Sequence, residues 1–243
     1  MDYREFSRKE LMEILDIIQS CVKSNSESDI IDIASRVRNF MGADNGICAL
    51  GDASTGRLVR IISLNYPAEW AGIYMGEELY KTDPVIKFNY EFYKTHYWSE
   101  AEKIFNGKPY ADLMNRAAEF GLKYGVASGV NGSGYRGSIF SFSRRSTGFD
   151  GHEKKFLDIL TPHIHQALVR VDGKAAKASS GLSEREKEVL AWMKEGKTNW
   201  EISAILNISE RTVKFHVHNI ETKLNAVNKA HAIAIAMNNG LVL

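Results

Sequence analysis

Thr198-Asn199-Trp200-Glu201-Ile202-Ser203-Ala204-Ile205-Leu206-Asn207-Ile208-Ser209-Glu210-Arg211-Thr212-Val213-Lys214-Phe215-His216-Val217-His218 holds two short helix patterns separated by a turn. Thr198 can cap the first helix, which carries Trp200, Ile202, Ile205 and Leu206. Asn207-Ile208-Ser209 reads as a tight turn, and Ser209 can cap the second helix. There Val213, Val217, Ile220 and Leu224 are spaced to face inward. A short helix, a turn of three residues and a second helix make the helix-turn-helix layout, in which the second helix enters the major groove of DNA. Its outward side carries Arg211, Lys214, Phe215 and His218. A lysine can donate to guanine O6 or N7, and an apolar group can meet a thymine methyl. Thr198, Ser209, Thr212 and His216 suit phosphates, which set register without reading sequence. A bundle with solvated polar faces shares this periodicity, so spacing alone leaves both readings open.

Working outward, Ser183 and Glu186 form a capping box before Val189, Leu190 and Met193, and Gly196 ends that helix. Residues 182–243 thus read as one small all-α domain. Ahead of them, 174–181 is small and polar and reads as a linker. Residues 1–173 mix patterns. Leu11, Ile14, Leu15, Ile18 and Val22 suggest one face of a helix over 8–22, and 30–41 and 109–119 suggest two more. Residues 47–50 and 58–64 read as a hairpin, and 123–131 and 136–143 as two strands around Gly132-Ser133-Gly134. A helix over 151–171 presents Phe156, Leu157, Leu160, Ile164, Leu168 and Val171 to a core. The expected fold class is α+β: an N-terminal α-β-α sandwich with an antiparallel sheet, plus the helix-turn-helix domain.

Bulk charge does not mark a nucleic-acid binder. The chain is +1 overall, and residues 182–243 carry 8 basic and 7 acidic side chains. The polar start Met1-Asp2-Tyr3-Arg4-Glu5 has no signal-peptide core, and no apolar run approaches the roughly 18 residues a membrane span needs. A cytoplasmic protein without membrane attachment is expected. Cys21 and Cys48 match no disulfide or zinc spacing and read as small hydrophobes. His96, His163 and His165 make no metal constellation, and no nucleophile elbow or Ser-His-Asp order points to an enzyme. No catalytic residue, metal or cofactor is expected.

Leu182-Ser183-x-Arg185-Glu186-x-Glu188-Val189-Leu190, Gly196-Lys197-Thr198, Glu201-Ile202, Ile208-Ser209-x-x-Thr212-Val213-Lys214-x-His216, Asn219-Ile220 and Lys223-Leu224 together resemble the DNA-binding domain of LuxR-type regulators. The resemblance spans most of 182–236 and implies a four-helix domain. It implies structural roles for Glu186, Leu190 and Gly196, and base contacts from Lys214, Phe215 and His218. His218 stands where many members carry Lys or Arg.

Upstream, Asn65-Tyr66-Pro67-Ala68-Glu69-Trp70, Tyr74, Tyr80, Asp83-Pro84 and Trp98-Ser99 form an aromatic-rich region. Composition alone allows core or interface, and equally a pocket of apolar walls with a few aimed polar groups. With Phe120-Gly121-Leu122-x-Tyr124-Gly125, this region is similar to the autoinducer-binding domain of quorum-sensing LuxR-type receptors. The resemblance implies that Trp70 donates to the lactone carbonyl of an acyl-homoserine lactone and Asp83 accepts its amide N–H. It implies that Tyr66 bonds the acyl carbonyl, Tyr74 helps bind or cover the acyl segment, and Trp98 packs on the lactone ring. Ser141 would reach a ligand carbonyl, and Gly125 would leave room for a ring. The chain departs from the family at Gly129, where many members carry Pro, and Ala127 and Ser128 are expected near the head group. The tyrosine-rich stretch Phe88–Tyr93 reads equally as core, dimer contact or pocket wall.

The implied protein is a quorum-sensing transcription factor. Residues 1–173 would bind the lactone and dimerise, 174–181 would link, and 182–243 would bind double-stranded DNA at an inverted repeat, with RNA polymerase a further partner. The alternative is a LuxR-type regulator that answers a different small molecule or none.

Overall fold

The computed structural model describes residues 5–52, 57–105, 107–131, 136–238 and 241–242. The chain divides into two compact units, Met1–Val171 and Asp172–Leu243. The expected turn Gly132-Ser133-Gly134 lies outside the described residues.

The first unit opens with α1 (Arg8–Lys23) and α2 (Glu27–Phe40). Each starts at a serine whose side chain accepts the N3 amide while the N3 carboxylate returns to the cap amide: Ser7 with Glu10, and Ser26 with Asp29. Strands β1 (Asn45–Asp52) and β2 (Arg57–Leu64) follow. Then come α3 (Ala68–Gly76), α4 (Pro84–Phe92), the short β3 (His96–Tyr97), α5 (Trp98–Ile104) and α6 (Lys108–Glu119). Strands β4 (Tyr124–Asn131) and β5 (Arg136–Arg144) lead into the long α7 (Gly151–Ser179).

The five strands form one antiparallel sheet in the order β2-β1-β5-β4-β3. Successive side chains point to opposite faces, so each strand serves two layers. Cys48, Leu50, Ile62, Leu64, Val126, Phe140 and Phe142 face one way, into a core built with α1, α2 and α7. Ala127 and Ile139 face the other way, toward Trp70 of α3, Val85 and Phe88 of α4, Trp98 and Ala101 of α5, and Ala117 of α6. The result is the expected α-β-α sandwich. Each fully buried large side chain, such as Phe140 or Leu160, contributes about 1.5–3 kcal/mol of burial.

Two details differ from the sequence reading. In α1 the buried residues are Ile14, Ile17 and Cys21, while Leu15 is 58% and Val22 70% exposed. Apolar residues occupy two overlapping stripes of this helix, and the sheet selects the one it can cover. The helix expected over 151–171 also continues to Ser179, so the backbone of most of the stretch read as a linker is helical. Gly181 then breaks it with φ +63°.

The second unit holds α8 (Glu184–Lys194), α9 (Asn199–Leu206), α10 (Glu210–Lys223) and α11 (Lys229–Asn238). Leu182, Val189, Leu190, Met193, Ile202, Val213, Ile220, Ala232 and Ala236 form its core. Glu186 is buried there, its carboxylate accepting from the Ser183 amide at 2.7 Å and from Lys223 Nζ at 2.7 Å. Burial alone would raise its pKa; the bonds from Lys223 and Ser183 outweigh burial and hold it below the usual range.

Among the described residues no helix is long and apolar enough to cross a membrane. Both cysteines are buried and free. Burial pushes the Cys21 thiol up to about 11 and the Cys48 thiol to about 12, which suits inert hydrophobes. His163 is exposed while His165 is buried and bonded to Ser138 Oγ at 2.8 Å.

Candidate functional site

The sheet face turned toward α3–α6 carries three cross-strand rows. The first aligns Ser63, Ile47, Ser141 and Ala127, the second Ile61, Ala49, Ile139 and Gly129, and the third Leu58, Gly51 and Gly137. The helices do not close down on this floor. A cavity of about 140 Å³ remains, lined by Tyr66, Trp70, Tyr74, Asp83, Trp98 and Ser141 together with apolar side chains that include Leu58, Met75, Ile86, Leu113, Met114 and Ile139. All six residues expected to bind ligand therefore meet on one cavity, although up to 75 positions separate them in the chain.

The local sequence explains how each is held. Asp83 is the N-cap of α4, with Pro84 at the first helical position, and its Oδ1 accepts from the Val85 amide at 2.7 Å. Its Oδ2 accepts from the Tyr74 hydroxyl at 2.7 Å. Asp83 is half-buried, and burial raises its pKa against the lowering effect of Tyr74 and the amides of Val85 and Ile86. The Tyr66 and Tyr74 phenols are raised by burial first and by the nearby Asp83 charge second. These phenols stay neutral donors around a carboxylate acceptor.

Trp98 starts α5, is 6% exposed, and donates its indole N–H to Ser141 Oγ at 2.9 Å. That bond leaves the Ser141 hydroxyl proton without an acceptor among the described residues, so Ser141 can donate to a ligand. The Trp98 ring lies flat against Gly125: a Cβ built there would fall 2.0 Å from Trp98 Cδ2. Trp70 is also buried, and its ring lines the cavity. A buried indole usually finds an acceptor, and a ligand in the cavity can supply one.

Tyr74 lines the cavity, and its hydroxyl donates to Asp83. One expectation needs correction. Ser128 was expected near the head group; the strand alternation sends it to the opposite face. Its Oγ lies 2.7 Å from Thr95 Oγ1, beside a separate polar cavity lined also by Asp158 and Thr161. Only Ala127 stays on the ligand side. Sequence reading missed Ser63, Leu58, Ile61, Met75 and Met114. The alternation of Ile61 and Ser63 in β2 was a usable signal; the methionines lie on helices whose inner faces depend on packing.

In the second unit, Thr198 caps α9, accepting from the Glu201 amide at 3.2 Å. Asn207 adopts φ +52° at the end of α9, and Ser209 caps α10 by accepting from the Thr212 amide at 3.1 Å. Arg185 fastens α8 to the end of α9 through the Leu206 carbonyl at 2.7 Å. On α10, Val213 and Ile220 are buried while Arg211, Lys214, Phe215 and His218 are exposed. Lys214 Nζ lies 2.9 Å from Glu210 Oε1, an exposed pair that a phosphate or base can displace at little cost. Phe215 is 60% exposed, a large apolar side chain with no core to fill. The four outward groups thus share one solvent-facing side of α10. Thr198, Ser209 and Thr212 sit in the caps at the helix N-termini, where amides and dipole favour a phosphate.

This pairing of a partly open, apolar-floored cavity with a helix-turn-helix has counterparts. Residues 26–168 match the autoinducer binding domain, and residues 180–236 match the bacterial regulatory proteins of the luxR family. The chain belongs to the LuxR family of transcriptional regulators. It is 29% identical to the transcriptional activator protein LuxR of Aliivibrio fischeri, covering 95% of this chain and 93% of the relative. It is 32% identical to the quorum sensing-dependent regulator RpaR of Rhodopseudomonas palustris, covering 73% of each. The structure of Escherichia coli SdiA aligns over 96% of this chain and 99% of its own, with 25% identity and a TM-score of 0.67. SdiA in complex with octanoyl-rac-glycerol aligns over 97% of this chain and 98% of its own, with 25% identity and a TM-score of 0.68. This LuxR-type chain is therefore an autoinducer-binding, DNA-binding regulator of the quorum-sensing kind, and not an enzyme. Among the described residues no three His, Cys, Asp or Glu side chains are grouped to hold a metal ion.

Proposed function

We propose that this LuxR-type regulator is a cytoplasmic receptor that encloses an acyl-homoserine lactone and, as a dimer, binds an inverted-repeat promoter site. The observation that carries the reading is the meeting of Trp70, Asp83, Tyr66 and Ser141 on one largely apolar cavity. The chemistry matches a lactone amide group by group. The Trp70 N–H serves the lactone carbonyl, and Asp83 accepts the amide N–H. The Tyr66 and Ser141 hydroxyls serve the acyl carbonyl, Trp98 backs the ring, and the apolar rows take the acyl chain.

Residues 1–173 bind the ligand and dimerise, 174–181 connect, and 182–243 bind DNA. Ligand binding stabilises the dimer-competent state by mass action, about 2.7 kcal/mol at a hundredfold excess over Kd. Two copies of α10 then read half-sites about 10 base pairs apart, or a multiple of that. Lys214, Phe215, His218 and Arg211 contact the major groove, Thr198, Ser209 and Thr212 the phosphates, and RNA polymerase is the downstream partner.

A second reading keeps the cavity and changes the ligand. The structural neighbour SdiA is described in complex with octanoyl-rac-glycerol, an acyl chain on a different polar head. A thermal-unfolding screen with straight-chain, 3-oxo, 3-hydroxy, branched and aryl homoserine lactones and with monoacylglycerols separates the two. A concentration-dependent rise in Tm with a subset of the lactones supports the first reading. A rise only with the acylglycerol supports the second.

A further inference from the structure

Strand β2 breaks its own alternation. Leu64 and Ile62 point into the core built with α1 and α2, while Ser63 and Ile61 line the ligand cavity. Continued without interruption, that alternation would put Leu58 on the core side with Ile62 and Leu64. The register prevents it. Leu50 of β1 pairs with Arg60, but the next residue, Gly51, pairs with Leu58, which leaves Val59 as an extra residue in β2. Such a bulge shifts the strand by one residue and so turns every side chain beyond it to the other face. Val59 is left 41% exposed, and Leu58 becomes part of the cavity wall.

Leu58 arrives at a level that its neighbours leave bare. Gly51 and Gly137 lie across from it on β1 and β5 and carry no side chain, so of these three strands Leu58 alone projects into the cavity there. That level is far from the polar groups. Gly51 lies four residues along β1 from Ile47, which shares a row with Ser141, or about 13 Å at the rise of an extended strand. Between the two levels the floor falls away along β1, from Ile47 to Ala49 to Gly51. Ile61 and Ile139, the two cross-strand partners of Ala49, wall this trough on either side. An acyl chain lying in the trough with its head at Tyr66 and Ser141 runs toward Leu58. Ala49, Leu58, Ile86 and Ile139 also line a separate void of about 20 Å³, so Leu58 belongs to the wall that closes the trough.

We infer that Leu58, aimed by the Val59 bulge, is the stop that sets the longest acyl chain this receptor takes. The inference rests on the lactone reading of the head-group residues and adds the residue that decides among acyl chains.

The test is isothermal titration of the full-length protein with unbranched acyl-homoserine lactones from butanoyl to tetradecanoyl in two-carbon steps. For the wild-type protein, affinity is expected to climb about fourfold per methylene, the worth of one buried CH2, up to one chain length and to fall beyond it. Leu58→Ala is expected to move that optimum about two carbons longer, with about a 15-fold gain over wild type on the first chain that wild type rejects. Leu58→Phe is expected to move it shorter, so the stop is read in both directions and either folded variant decides. Val59→Ala trims an exposed side chain of the same bulge and should keep the wild-type optimum. An optimum that stays in place in the Leu58 variants would overturn the inference and leave the lactone reading standing. An equal shift in Val59→Ala would overturn it too, because a loosened β2 would then account for the change. Binding of no lactone by folded wild-type protein would overturn the lactone reading itself, and Leu58 as its chain-length stop with it.

Discussion

Asp83→Asn separates binding from folding because Asp83 does two jobs that an amide divides. As the N-cap of α4 it accepts from the Val85 amide at 2.7 Å, and it also accepts from the Tyr74 hydroxyl. Asparagine has the same shape and caps helices about as well. Its Oδ1 can keep the Val85 bond, and its Nδ2 can donate to a Tyr74 hydroxyl turned to accept. The ligand-free fold should therefore survive.

The ligand amide fares differently, since its N–H would meet an amide donor in place of a carboxylate acceptor. Losing a charge-assisted bond costs about 1.5–3 kcal/mol, or roughly 10- to 100-fold in affinity. Taking a thirtyfold loss, a lactone at a hundred times the wild-type Kd stabilises the variant by about 0.9 kcal/mol instead of about 2.7 kcal/mol. For a unit of this size that is a Tm rise of about 3 °C instead of about 8 °C.

Proton linkage supplies an independent readout. Burial raises the Asp83 pKa in the folded protein above its unfolded value. The native state then binds the proton more readily, so the Asp83 contribution to ligand-free stability is greatest below the unfolded pKa and falls as pH rises through the folded one. Asparagine has no such dependence, so the ligand-free variant should gain on wild type as pH rises from 4 toward 7. Urea titrations across that range, with and without lactone, measure both effects. A folded Asp83→Asn protein with the full lactone-induced shift would refute Asp83 as the amide acceptor. Parallel pH profiles would refute the raised carboxylate.

Three further outcomes are expected. Gly125→Val places side-chain carbon where the Trp98 indole lies; it should break the Trp98–Ser141 bond, cost about 1–3 kcal/mol by overpacking and abolish the ligand shift in a thermal melt. Glu186→Ala removes a buried cap and the Lys223 pair and should destabilise the second unit by about 1–2 kcal/mol. Because the Glu186 pKa is lowered in the fold, its contribution is present above the unfolded carboxylate pKa and lost as pH falls through the folded one, so the deficit seen by circular dichroism should shrink in acid. Lys214→Ala and Phe215→Ala should each weaken operator binding roughly tenfold or more in a gel-shift titration, with the lactone-induced rise in Tm unchanged.

Much of this architecture was legible in the chain. Helix caps at Ser183, Thr198 and Ser209, the turn at Asn207 and the inward spacing of Val213 and Ile220 are local events. They depend on neighbours within one or two turns, so the sequence carries them directly. The same holds for Asp83-Pro84 as a helix start and for the alternation of the strands. Tertiary structure decided what those local elements face. Only the sheet register brings Ser141 to the Trp98 indole and sends Ser128 to the opposite side. Packing alone selects Ile17 over Leu15 in α1, because two apolar stripes overlap on that helix and the core has space for one. The buried amide of Asn89 and the room Gly129 makes for it come from α4, β4 and β5 meeting, and no single segment of the sequence contains that meeting. Secondary structure follows from short-range covalent and hydrogen-bonding preferences, whereas a cavity is the space left between elements distant in the chain, and its shape is set only when they pack.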